Sequence, residues 1–303
     1  MLILPVVIAV LVVLPYFVPH YIVAFLMLLF IYVILAQSYD ILGGYMGYVN
    51  LGQSIFFGVG AYIFGITLKM GFPVPLPFLF ALGAAAAMAV AISFPFFRLR
   101  GFYFAIGTFA LANLMFLIAY NLVITGGPHG LFIEMANRLT ISYYAIICFL
   151  VIAIFINYKL ERSKFGLALK SIREDEEVAQ TFGINAFRFK CKALVLSSCL
   201  PGLAGAFYLW WTCYISPEMV FGIDITLIPP TMAFLGGTGL VAGPLVGGVV
   251  LMFVEEVLWT KMAYLHRATL GFMLVLVGMF LVGGIMRSKR FIGIWGLLKK
   301  YVK

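Results

Sequence analysis

Glu255 and Glu256 stand side by side inside one apolar run, and Asp40 closes another. A carboxylate in hydrocarbon is costly, so it pairs, reaches an interface, or handles protons and ions. No ladder of acids joins these three across a membrane midplane, and Lys261 follows closely enough to neutralise one glutamate. Interfacial or paired acids are therefore expected, with a proton relay as the competing use. A second group is uncharged: Asn50, Gln53 and Ser54 crowd one Gly-rich segment, and Thr108 interrupts another apolar run. Such groups in hydrocarbon need partners or water, so they serve either as interhelical hydrogen bonds or as contacts to a permeant molecule. Thr125, Gly126 and Gly127 suit a turn at a helix end or, alternatively, a ligand contact.

Bond-making chemistry is poorly supplied. The chain contains no G-x4-G-K-[ST], so no P-loop can cradle ATP. Gly237, Gly239 and Ala242 fit G-x-G-x-x-A, but they lie between apolar runs with no soluble strand before them, which argues against a dinucleotide site. His20, His129 and His266 are isolated, and Cys148, Cys191, Cys199 and Cys213 form no CxxC pair or spaced framework. No metal site, cofactor or enzymatic activity is expected.

The elements that must position these residues are membrane helices. Of the 303 residues, 64% are hydrophobic and 10% charged, and the mean hydropathy is +1.13. So few charges cannot clothe a water-facing surface. Apolar runs lie near 1–18, 21–41, 51–68, 76–97, 102–123, 141–158, 191–212, 225–240, 244–262 and 268–286, each close to the length that spans hydrocarbon. The expected fold is thus an all-α polytopic membrane protein of about ten transmembrane helices. The opening MLILPVVIAVLVVLPYF lacks a basic n-region and an A-x-A site, which favours a first span over a cleaved signal peptide. The eighth and ninth runs contain Pro229, Pro230, Gly236, Gly237, Gly239, Gly243 and Pro244, and are expected to be broken or re-entrant.

The net charge of +9 reads as topology rather than as a nucleic-acid surface. With ten crossings and a cytoplasmic amino terminus, sixteen Lys and Arg fall inside and four (Lys69, Arg138, Lys261, Arg267) outside. Tyr16, Tyr21, Tyr143, Tyr144, Tyr158, Trp210, Trp211, Tyr214, Trp259 and Tyr264 sit near span ends, where amphipathic rings favour the headgroups. Five spans then start from each side, which permits a 5+5 inverted arrangement, although the halves share no convincing sequence similarity. Residues 1–286 form the transmembrane domain. The 287–303 tail, with Phe291, Ile294, Trp295, Leu298 and Val302 among cations, reads as an interfacial helix on anionic lipid.

The longest polar stretch, 159–192, is the one predicted loop large enough to meet a soluble partner. From Leu167 to Phe182 it has no Gly or Pro, and Lys170–Glu174 and Arg173–Glu177 stand four apart, which predicts one short helix laced by these pairs. Gly183 and Asn185 suit its end. By pattern alone this is equally a solvated connector.

Within that loop EVAQTFG, from Glu177 to Gly183, resembles the EAA-x3-G signature by which ABC importer permeases dock on their ATPase subunit, with Val178 replacing the first alanine. Its usual hydrophobic tail does not follow at the usual distance, since the nearest Leu-Pro is Leu200–Pro201. The wider stretches are more specific. SKFGLALKSIREDEEVAQTFGINAFRFK, LPGLAGAFY, YISPE, GGYMGYVNLGQSIFFGVGAY from Gly43, RLRGFYFAIGTFALANL from Arg98, TGGPHGL from Thr125 and FLGGTGLVAGPLVGG from Phe234 resemble, in order and spacing, the branched-chain amino acid ABC transporter permeases of the LivM type. The departures are a short amino terminus and Pro128–His129 in place of smaller or more polar residues.

The resemblance implies a permease in the prokaryotic plasma (inner) membrane with both termini cytoplasmic. Its partners would be a second permease in a heterodimer, two ABC ATPase subunits, an extracytoplasmic substrate-binding protein and lipid. It places Arg173, Glu174, Asp175, Glu177, Ala179 and Gly183 in the ATPase-coupling segment, and it marks Asn50, Gln53, Ser54, Thr108, Thr125, Gly126 and Gly127 as candidates for the substrate path. Gly43, Gly44, Gly47, Gly52, Gly58, Gly60 and Gly65 fit either close helix contact or an unwound cavity lining. Urea or small-amide permeases are similar at this level, and an ion-coupled carrier using Glu255 and Glu256 is the reading from a different class.

Overall fold

The computed structural model describes residues 11, 13–99, 101–134, 139–261, 271 and 284–287. The tenth expected run, most of the first, the tail from 288 onward, Arg100, Arg138, Tyr264, His266, Arg267 and the side chain of Lys261 lie outside them.

The long apolar runs fold as helices: α1 (His20–Gly43), α2 (Gln53–Lys69), α3 (Pro75–Phe96), α4 (Phe102–Asn121), α5 (Leu139–Glu161), α8 (Ala186–Thr212), α10 (Ile223–Gly236) and α11 (Gly243–Lys261). Between α5 and α8 lie the short α6 (Lys164–Glu174) and α7 (Glu176–Thr181), and α9 (Pro217–Phe221) precedes α10. Among the described residues six stretches are long and apolar enough to cross a membrane: α1, α3, α4, α5, α8 and the α9–α10 stretch, Pro217–Gly236. Helices α2 and α11 coincide with the third and ninth expected runs but fall outside that set. One small sheet departs from the all-helical expectation: β1 (Leu131–Phe132) pairs antiparallel with β2 (Tyr214–Ile215), with Leu131 opposite Ile215.

The interruption expected around residues 225–262 falls at the glycines, where 237–242 separates α10 from α11, and not at the prolines; a further break precedes it. Pro229 and Pro230 lie inside a continuous α10, and the chain breaks earlier, at extended Gly222 between α9 and α10. Neighbouring helices can re-satisfy backbone groups freed by proline, so a buried helix tolerates it. Ser216 caps α9 through the Met219 N–H, and Pro217 fills its first turn, where no amide hydrogen is needed.

Helices α1 and α8 form the centre. Helix α1 packs against α5, α8, α10 and α11, while α8 packs against α1, α2 and α3. The contact between α2 and α8 is nearly backbone to backbone. A Cβ on Gly60 would lie 2.0 Å from the Gly202 carbonyl oxygen, and one on Gly205 would lie 2.0 Å from that of Phe57. Only glycine allows this approach.

The two ends of the bundle have separate contacts. At one end, the Asp40 carboxylate accepts the Gly239 N–H at 2.8 Å, and Gln37 donates to the Val241 carbonyl at 2.8 Å. At the other, Tyr21 hydrogen-bonds Glu256, Tyr143 donates to the Leu11 carbonyl at 2.9 Å, and the small sheet closes beside Gly130.

Candidate functional site

The segment 44–52 leaves α1 after tandem glycines and enters α2 at Gly52, which provides no side-chain cap. Asn50 Oδ1 takes the N–H of Gly52 itself at 2.9 Å, and Thr108 of α4 takes the Leu51 N–H at 3.1 Å. One residue on, the Ser38 hydroxyl lies 3.1 Å from Gln53 Oε1 and donates at 2.6 Å to the Ser197 carbonyl. Ser197 returns the bond, donating to the Ser38 carbonyl at 3.0 Å. Thr226 of α10 reaches Ser54 at 2.9 Å. Asn50, Gln53, Ser54 and Thr108 are all buried, and together they make a polar node where α1, α2, α4, α8 and α10 meet. Among the described residues, Asn50 Nδ2 and Gln53 Nε2 are buried with no hydrogen-bond partner, so the node retains amide donors.

Thr125, Gly126 and Gly127 do not join this node. They follow the far end of α4, separated from Thr108 by about 20 Å of helix. There the Thr125 hydroxyl is directed to the Ala119 and Leu122 carbonyls at 2.6 and 2.7 Å, and Gly126 is left-handed at φ 80°. These residues shape a turn. A cavity of about 530 Å³ opens at the same end, lined by Leu68, Lys69, Phe132, Ile133 and Glu134.

The 159–192 stretch differs from its sequence expectation. Asp175 adopts an extended conformation, φ −157°, and splits the single expected helix into α6 and α7. Its carboxylate caps the second piece, accepting the Glu177 and Val178 N–H groups at 2.8 and 3.0 Å. An Asp in this role competes with helix continuation, which outweighs the absence of Gly and Pro. The expected Lys170–Glu174 and Arg173–Glu177 pairs do not form. Arg173 donates instead to the Gly44 carbonyl at 2.6 Å, and Lys170 lies over the Tyr45 ring at 5.4 Å. Ala179 is buried, whereas Glu174, Asp175, Glu177 and Gly183 are exposed. Gly183 is left-handed at φ 82°, and Asn185 caps α8 through the Arg188 N–H. Large apolar side chains nonetheless face out of this polar segment: Leu167 is 66%, Val178 50% and Phe182 81% exposed.

Sequence reading missed Gln37, Ser38, Asn157, Ser197, Thr226, Tyr48 and Lys190. The signal for the first five was present, since each is a polar residue in or beside an apolar run and must find a partner there. Asn157 donates to Gln37 Oε1 at 2.6 Å and to its carbonyl at 2.9 Å. Lys190 was concealed among cations counted for topology, yet it is 2% exposed and donates to Glu176 at 2.6 Å and to Tyr48 at 2.7 Å. No group of three or more His, Cys, Asp or Glu side chains among the described residues could hold a metal ion.

A polar node inside apolar helices thus lies beside a segment that presents bare apolar side chains. The family described as the permease component of the branched-chain amino acid transport system matches residues 21–281. The high-affinity branched-chain amino acid transport permease LivM of Escherichia coli is 26% identical over 261 residues, covering 75% of this chain and 61% of that protein. LivH of the same bacterium is 28% identical over 138 residues, covering 45% and 43%. The nucleoside ABC transporter permease NupC of Lactococcus lactis is 39% identical over 59 residues, covering 20% and 19%. The match thus spans about three-fifths of the length of the LivM relative. No solved structure matches. With six membrane-length helical stretches among the described residues and a family match over most of its length, the chain is a multi-pass membrane protein that belongs to the branched-chain amino acid transport permease family.

Proposed function

We propose that the chain is the transmembrane permease subunit of an ABC importer for branched-chain amino acids. It pairs with a second permease, is driven by two separate ATPase subunits, and receives substrate from an extracytoplasmic binding protein. The observation that carries this reading is the α6–α7 segment. Its exposed Leu167, Val178 and Phe182 offer apolar surface to a soluble partner, while Arg173 ties it to the loop leading into the polar node. Asn50, Gln53, Ser54 and Thr108 border the substrate path at that node, and Thr125–Gly127 shape its outer end.

In this reading the chain lies in a prokaryotic plasma membrane with ten spans in a 5+5 inverted arrangement and cytoplasmic termini. Packing supports the arrangement. Helix α1 meets α10 and α11 as α8 meets α2 and α3, and Ser38 and Ser197 exchange the same bond across the centre. An approximate two-fold axis through that pair accounts for both facts.

Membrane vesicles containing the whole transporter test the reading. Uptake of a labelled branched-chain amino acid should require the ATPase subunits. Undiminished uptake without them, or collapse on removing an ion gradient alone, would point to an ion-coupled carrier. Gly183→Pro, which cannot adopt a positive φ, and Glu177→Lys, which reverses an exposed charge, should each lower uptake while membrane insertion persists. ATPase-dependent uptake of labelled nucleosides or small amides, with none of branched-chain amino acids, would change the cargo and leave the machine.

A further inference from the structure

Helix α7 is six residues long and is bounded by two non-helical joints, extended Asp175 and left-handed Gly183. Its neighbours therefore constrain it weakly through the chain, and its orientation depends on side-chain ties. One tie stands out. Glu176, its first residue, accepts a hydrogen bond from Lys190 of α8 at 2.6 Å. The same ammonium donates to the Tyr48 hydroxyl at 2.7 Å and lies 4.8 Å from that ring's centroid. Tyr48 belongs to the 44–52 loop, two residues before Asn50. One buried cation thus joins three separately anchored pieces: the coupling segment, the central helix α8, and the loop that ends in the polar node. Tyr48 packs edge-on against Phe97 and Phe104, at 6.0 and 5.1 Å, so a pull on its hydroxyl meets a stiff aromatic cluster.

We propose that Lys190 is a positioning residue for energy coupling, a strut by which displacement of α7 is transmitted to Tyr48 and on to the start of α2. The inference rests on the importer reading above. A buried ammonium with two oxygen partners holds its geometry because leaving either group unpaired is costly. Arg173, bound to the Gly44 carbonyl, provides a second attachment at the beginning of the same loop. The start and the middle of the loop are then held by cations of the 159–192 stretch, so a tilt of α6 and α7 pulls on the loop at two points.

The test uses proteoliposomes containing the complete transporter, with labelled leucine delivered by the binding protein, and measures both uptake and ATP hydrolysis. Lys190→Met should lower leucine imported per ATP about tenfold while the ATPases still co-purify and hydrolyse ATP. Lys190→Glu combined with Glu176→Lys should recover most of that ratio, since a carboxylate at 190 can still accept from Tyr48 while pairing with the new lysine. A structural role alone would change yield rather than the ratio. Wild-type coupling in Lys190→Met overturns the proposal. So does loss of ATPase association in Lys190→Met that the reversed pair fails to restore. Wild-type protein that imports neither leucine nor a nucleoside or small amide with ATP present overturns the importer reading itself, and the strut with it, so the two failures are distinguishable.

Discussion

Helices α1 and α4 are both apolar by composition, yet they occupy opposite situations. In its most apolar stretch 67% of α1 is buried, against 28% of α4. Lipid removes the difference that drives burial in water, because hydrocarbon tails are as apolar as leucine. What separates the two helices is the content that lipid cannot satisfy. Helix α1 carries Gln37, Ser38 and Asp40 toward one end, and each makes a bond to another element. In α4, Thr108 provides the one buried side chain with such a bond, while Asn113 and Asn121 return their amides to carbonyls four residues earlier. Helix α8 resembles α1 and adds close backbone contact; α3 resembles α4 and buries chiefly small residues such as Ala81, Ala85 and Ala89.

Glycine substitutions should separate central from peripheral helices most sharply. Gly205→Leu on α8, where a Cβ already lies 2.0 Å from a carbonyl oxygen, should cost about 3 kcal/mol and lower the yield of folded protein in detergent. Gly83 of α3 meets nothing within 4 Å, so Gly83→Ala should leave thermal unfolding unchanged or raise it by up to about 1 kcal/mol. Equal losses at both sites would erase the distinction.

Asn157→Leu comes next, at about 2 kcal/mol, because it leaves the buried Gln37 Oε1 and backbone carbonyl without their donor. Ser38→Ala and Ser197→Ala, measured singly and together by denaturation, should show a coupling of about 0.6 kcal/mol, as is common between membrane helices. The smallest effect should be at Leu117 on the outer face of α4, 53% exposed, where Leu117→Ala should shift stability by less than about 0.5 kcal/mol. A large loss there would mean that α4 is covered in the working protein.

The membrane class and the helix positions were legible because the requirement to span hydrocarbon acts on each run locally. The polar node was half legible. Asn50, Gln53, Ser54 and Thr108 declared themselves as polar groups in apolar surroundings, but their partners lie up to 172 residues away, and no local pattern encodes Ser54 with Thr226. Thr125–Gly127 read as a helix-end turn or, alternatively, a ligand contact, and the turn is what the backbone forms. In the coupling segment, helical spacing suggested pairs along one helix. The Asp175 cap broke that helix, and Arg173 found a backbone carbonyl 129 residues earlier. Lys190 could not be singled out, since a buried and an exposed lysine read alike until the fold encloses one.

The bare Phe182 ring has a bearing on how long such a chain survives. A large aromatic group 81% exposed in a polar segment is adhesive to chaperones, proteases and other nascent chains alike. If the proposed ATPase covers that ring, a copy made in excess would carry the handle bare and be the one cleared first. Stoichiometry among the products of such a system could then be maintained after synthesis, by degradation of whatever stays unassembled, without a matched rate of translation.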